Sequence, residues 1–220
     1  MSIPNPQIPE QLNEIDDFIA YSKELIQNDE PIFEISCIGY ETEHNAFNKI
    51  EVRSCVFDNC AFRDCDFESA SFFDVVFKTC DFSNSNFQKA YFSRCKFIGC
   101  KCVGANLCDT IIKQTTFLQS NFRYSYFDKT KMTDVLFSEV DLTEASMAES
   151  ILKRFSATDC RFIKNNFFKT MLSGIDFTKN DFSLPIISSP PTELKGAVIN
   201  SFQAADIIRL FGVIIDDSII

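Results

Sequence analysis

From Phe57 to Phe182 every fifth residue is apolar, and this period is the strongest constraint in the chain. The register runs Phe57, Phe62, Phe67, Phe72, Phe77, Phe82, Phe87, Phe92, Phe97 and onward to Phe177 and Phe182. It covers 26 positions, 17 of them Phe, and only Ala157 is not a large or medium apolar residue. A second lattice lies two residues earlier. Of its 26 positions, 22 hold Cys, Ala, Ser, Thr or Val, the exceptions being Phe155, Asn165, Ile175 and Asn180. An α-helix cannot keep such a repeat on one face, because five residues advance a side chain by roughly 140°. A flat strand fails too, because odd spacing flips faces.

A chain that turns a corner every five residues satisfies both lattices. Four corners close a square coil of about twenty residues, and coils stack at the strand spacing of ~4.8 Å. The large residue and the small one point inward and the other three point out. The reading is an all-β, right-handed quadrilateral β-helix. Residues 47–187 give about seven coils, with a core stack through Phe62, Phe82, Phe122 and Phe162. Residues 1–46 form an N-terminal capping arm, and residues 188–220 a last strand and a C-terminal helix. In the arm, Pro4, Pro6 and Pro9 favour extended chain. Leu12 to Gln27 reads as a short amphipathic helix with Ile15, Phe18, Ile19 and Leu25 inward, and Pro31 to Cys37 as a strand.

Charge narrows the function. The net charge of −10 argues against direct nucleic-acid binding, which needs a basic face. Residues 1–46 hold ten acids and one Lys, whereas residues 47–184 hold 17 acids and 18 bases, so the coil body is close to neutral. One local belt breaks this balance: Asp134, Glu139, Asp141, Glu144 and Glu149 fall between Thr133 and Ser150 with no base among them. It reads either as a partner-binding surface or as a solvated face.

Chemistry is sparse. The single His44 lies in a polar stretch with no nucleophile at a recognisable spacing, and Gly99, Gly104 and Gly174 fall where corners belong. Seven of the ten Cys sit in the small inward lattice. Cys60, Cys80 and Cys100 stack at twenty-residue spacing and read as structural thiols. No acid, base and nucleophile constellation is visible. The expectation is a protein without catalytic residues, cofactor or metal. The absence of a long apolar run or a secretory leader leads us to expect no membrane span and a reducing, cytoplasmic setting.

Stretches such as Cys65-Asp66-Phe67, Cys80-Asp81-Phe82, Ala105-Asn106-Leu107, Ser120-Asn121-Phe122 and Val140-Asp141-Leu142 resemble the motif of the pentapeptide-repeat family. The C-terminal run from Leu194 through Ser201-Phe202-Gln203-Ala204-Ala205-Asp206 to Ile215 is similar to the terminal module of the Qnr-type quinolone-resistance proteins and their mycobacterial relative. That resemblance implies a homodimer joined end to end, which binds DNA gyrase and topoisomerase IV by imitating duplex DNA and modulates fluoroquinolone susceptibility. The unbroken register lacks the projecting loops of some plasmid-borne members, so the chain looks more like the loopless Gram-positive relatives. Independently, Asn200 or Ser201 can cap a helix that Gly212 ends. Phe202, Ala205, Ile208 and Leu210 or Phe211 would form its apolar stripe. Phe202, Ala205, Ile207, Ile208, Phe211 and Ile214 are the candidate dimerisation residues. The competing reading is a general interaction or structural solenoid whose partner is not a topoisomerase.

Overall fold

The computed structural model describes residues 3–216. Its organising element is a backbone corner. From Glu34 to Gly174 every fifth residue has a positive φ, as at Asn59 (54°), Lys129 (59°) and Gly99 (62°). Side chains other than glycine rarely accept this left-handed conformation. Here the stack enforces it, because the corner N–H donates to a carbonyl of the next coil: Asn59 to Lys78 at 2.8 Å, Thr79 to Ile98 at 2.8 Å, Lys129 to Ala148 at 2.8 Å. The chain thus turns after each pentapeptide, and residues twenty apart pair in parallel, as Phe57 with Phe77 and Phe97 with Phe117. The fullest strands, Ile111–Leu118, Lys131–Ser138 and Ile151–Thr158, stack on one another and run past a corner.

Inside, the rings form columns. Phe62 and Phe82 stack at 5.7 Å with 8° between planes, Phe67 and Phe87 at 4.9 Å and 5°, Phe72 and Phe92 at 4.9 Å and 8°. Phe62, Phe82, Phe122 and Phe162 are all buried. Each such ring removed from water contributes about 1.5–3 kcal/mol.

The small lattice does more than save space. Many of its polar members donate hydrogen bonds to carbonyls of the preceding coil. Cys95 Sγ reaches Phe72 O at 3.4 Å and Cys100 Sγ reaches Phe77 O at 3.4 Å. Ser150 Oγ reaches Phe127 O at 2.7 Å, and Asn165 Nδ2 reaches Leu142 O at 2.7 Å. A small side chain with a donor thus adds a hydrogen bond between coils that an alanine at the same place cannot make.

The solenoid has about nine turns, which corrects the expected seven. At the N-terminal end, parallel pairing already begins with Asn13–Ile15 on Ile35–Cys37, and Ile32, Ile35, Cys37 and Val52 are buried. The register was hidden there by Thr42 in the large lattice and by Tyr40 and Ile50 in the small one. Thr42 pairs with Phe62 but supplies no ring above it. Helix α1 (Phe18–Gln27) supplies one: Phe18 packs on Phe47, Phe57 and Phe62 at 5.4, 5.3 and 5.5 Å. This helix is shorter than the expected Leu12 to Gln27, since Asn13–Ile15 extends the sheet and Asp17 caps the helix at Ala20 N. The extended segment before it is pinned where Gln7 N donates to Asp74 Oδ1 at 3.0 Å.

At the other end the offset changes from twenty to twenty-two residues, as Asp176 bridges Val198. The two extra residues are accommodated in the turn around Thr192–Leu194, where buried Glu193 accepts hydrogen bonds from Lys169 N at 2.8 Å and Ser188 N at 3.1 Å. Helix α2 (Ser201–Arg209) then closes the coil. Asn200 and Gln203 form its capping box.

Candidate docking surfaces

The five acids of the belt do not share a face. Asp134, Glu139, Glu144 and Glu149 each occupy a left-handed corner (φ 56°, 56°, 58°, 56°), so they mark the four edges of a single coil, and Asp141 lies on one side between two of them. The next coil answers three of them at twenty-residue spacing. Arg154 binds Asp134 through Nε and Nη2, Arg161 Nη1 lies 3.5 Å from Asp141, and Lys164 Nζ lies 3.5 Å from Glu144. Glu139 accepts from Gln119 Nε2 at 3.2 Å. The hydrogen bonds from Arg154 hold the Asp134 carboxyl below its usual range. The belt is therefore a ring of edge carboxylates, largely matched by its neighbours. Exposed pairs of this kind contribute little individually.

The C-terminal helix sorts its candidate residues into two groups. Gln203 and Ile207 face the last coil, and Gln203 Nε2 donates to Phe177 O at 2.9 Å and Asn180 O at 2.8 Å. Ile207 is thus a correction: it is buried in its own subunit and has no surface to offer a second one. The expected stripe points elsewhere, because the side that packs inward carries an amide able to satisfy the coil's last carbonyls. Ala205 is half-buried. Phe202 is 80% exposed and Ile214 94%, with Ile208, Leu210, Phe211 and Val213 exposed beside them.

His44 is exposed at a corner. Burial pushes the Cys95 thiol up to about 12 and those of Cys55 and Cys160 to about 11. No group of three His, Cys, Asp or Glu among the described residues is placed to hold a metal ion. No helix among them is long and apolar enough to cross a membrane. Pattern reading missed Gln203 and Glu193, the two buried polar residues that seal the C-terminal end. Gln203, set between Phe202 and Ala204-Ala205, carries a signal as a polar residue in a largely apolar run, whereas Glu193 lies in a polar turn that carries none.

Residues 70–147 match the family model described as a pentapeptide repeat region. No curated protein matches the chain. Among solved structures, trypsin-treated QnrB1, a plasmid-mediated fluoroquinolone resistance protein, aligns with a TM-score of 0.48 and 15% identity over 84% of this chain and 99% of that one. HetL, a pentapeptide repeat protein involved in heterocyst differentiation regulation from the cyanobacterium Nostoc, aligns with a TM-score of 0.45 and 11% identity over 77% of this chain and 91% of that one. A pentapeptide repeat protein of the Arabidopsis thaliana thylakoid lumen gives 0.33 and 21% over 44% and 64%. At these identities and scores the likenesses carry no argument about this chain.

Proposed function

We propose that this chain, a pentapeptide-repeat protein, acts by docking rather than by catalysis: two copies join through their C-terminal ends, and the resulting rod presents its sides to a macromolecular partner. The observation that supports this reading is the cluster of Phe202, Ile208, Leu210, Phe211, Val213 and Ile214 on a chain whose own coil is already sealed by Gln203 and Ile207. An apolar patch of this kind on a soluble surface marks an interaction site. A second copy suits it, since an isologous interface places the same patch on both sides. The ten thiols suit a reducing compartment such as the cytoplasm.

The finer form of the proposal names a type II topoisomerase as the partner, with modulation of fluoroquinolone susceptibility as the outcome. Its support is the Qnr-like C-terminal sequence from Leu194 to Ile215. Duplex mimicry by the belt around Asp141 receives less support, because Arg154, Arg161 and Lys164 offset three of its carboxylates. This pairing favours the second reading, a solenoid for another protein partner. A supercoiling assay with gyrase, and decatenation with topoisomerase IV, with and without a fluoroquinolone, separates the two. A change in either activity or drug inhibition supports the topoisomerase reading. No change, together with a native partner purification that recovers other proteins and no topoisomerase subunit, decides for the broader one.

A further inference from the structure

We infer that the flat side of the rod built by Ile111–Leu118, Lys131–Ser138 and Ile151–Thr158 carries a docking surface for an acidic protein segment interspersed with apolar residues, centred on Lys113, Lys131 and Lys153. The inference rests on the reading of the chain as a docking rod and adds the face and the partner's chemistry.

The strand register sets the pattern. Ile111, Lys131 and Ile151 follow one another in one outward row, and Lys113, Thr133 and Lys153 in the next. Two coils separate Lys113 from Lys153, about 10 Å, and Lys131 lies between them one row over. The six residues together line a shallow depression, and the three lysines are exposed.

Several charges on the rod are matched within the stack, where an acid is met by a base twenty residues away, as Asp58 by Lys78, Asp74 by Arg94 and Asp134 by Arg154. The positions twenty before and after these three lysines hold Ser93, Thr133, Ile111, Ile151 and Ser173, and none of them is acidic. Asp134, the acid at the neighbouring corner, is engaged by Arg154. Lys96 and Arg123 also lack an acid at this spacing, but each stands by itself, whereas these three lysines share one side within two coils. Three positive charges are therefore left facing solvent on a chain of net charge −10.

The patch suits a polypeptide better than a nucleic acid. Ile111 and Ile151 flank Lys131 and match apolar side chains set between carboxylates. The aromatic residues that continue the face are already covered by this chain's cations: Lys113 Nζ lies 5.5 Å from the Tyr91 ring centre, and Arg53 lies 4.6 Å from that of Phe73. Bases would need open ring faces to stack on.

The test is fluorescence anisotropy on the full-length protein with a labelled peptide in which Glu alternates with Val and Ser, and separately with labelled oligothymidylate. The expected result is salt-sensitive peptide binding that weakens about tenfold or more in the variant Lys113→Gln, Lys131→Gln, Lys153→Gln. The variant Lys129→Gln, Lys169→Gln on another edge should bind as the parent does. Equal affinity for the peptide in both variants overturns the inference, as does tighter binding of oligothymidylate at the same three lysines. The triple variant is carried through the supercoiling and partner-recovery assays in parallel. Failure of the peptide arm with either of those effects intact sinks this surface alone, whereas loss of all three removes the docking-rod reading with it.

Discussion

Phe18 sits edge-on to Phe62, their ring centres 5.5 Å apart, on the coil position where Thr42 leaves the aromatic column without a ring. A helix outside the repeat thereby completes the repeat's core. Phe18→Ala should cost about 3–5 kcal/mol. Thr42→Phe alone should also destabilise, because it overfills the same space. In the Phe18→Ala background it should recover part of the loss. Urea unfolding of the two single variants and the double variant checks this. Additive losses would contradict the shared space.

The corners make a second prediction. Lys129 is held at φ 59° by its N–H bond to Ala148. Lys129→Val, whose branched side chain resists that region, should cost about 1–2 kcal/mol. Lys129→Gly should stay within about 0.5 kcal/mol of the parent, since relief of strain and added freedom of the unfolded chain offset each other. Thermal unfolding of both variants decides, and equal stability of the two would count against a strained corner.

Legibility in the sequence followed the same physics. The Phe columns were readable because one inward position recurs every five residues and nothing else explains it. The period is broken at both ends for a structural reason, which hides the outer coils. Thr42 yields its place to Phe18, and the offset between Asp176 and Val198 grows to twenty-two residues around Glu193. Taken by segment, the acidic belt hides its partners. Arg154, Arg161 and Lys164 each lie twenty residues after an acid, and only stacking brings them together. Ile207 falls among the dimerisation candidates because helical spacing gives the faces but not which of them meets the coil. The donor role of the small lattice, seen in Cys95 and Ser150, needs the carbonyl of the coil below, which no local pattern reveals.

Acid should loosen the N-terminal end. Burial disfavours a charged Asp74, but the two hydrogen bonds from Arg94 and the one from Gln7 N outweigh it and hold its carboxyl below the ordinary value near 3.8. A lowered folded value means stabilisation that is full above the ordinary value and fades as pH falls through the lowered one. Asp74→Asn should cost about 1–3 kcal/mol at neutral pH by removing the ion pair. It should also flatten the loss of stability below about pH 4. Urea midpoints measured across that range check it, and an unchanged acid slope would contradict the assignment.

Thiol reactivity reports the packing directly. Nine of the ten cysteines are buried, Cys108 being the exception, and burial raises the thiols of Cys55, Cys95 and Cys160. An aromatic disulfide reagent at neutral pH should label Cys108 quickly in the native protein and all ten in denaturant. Rapid native labelling of several further cysteines would show that the inward lattice is open.

The end-to-end pairing proposed for the C-terminal helix is tested most directly by sedimentation equilibrium of the full chain. The account predicts a mass twice that of the 25.1 kDa subunit, falling to one subunit in the variant Phe202→Asp, Phe211→Asp. A parent protein that sediments as a single 25.1 kDa chain throughout the accessible concentration range would contradict it.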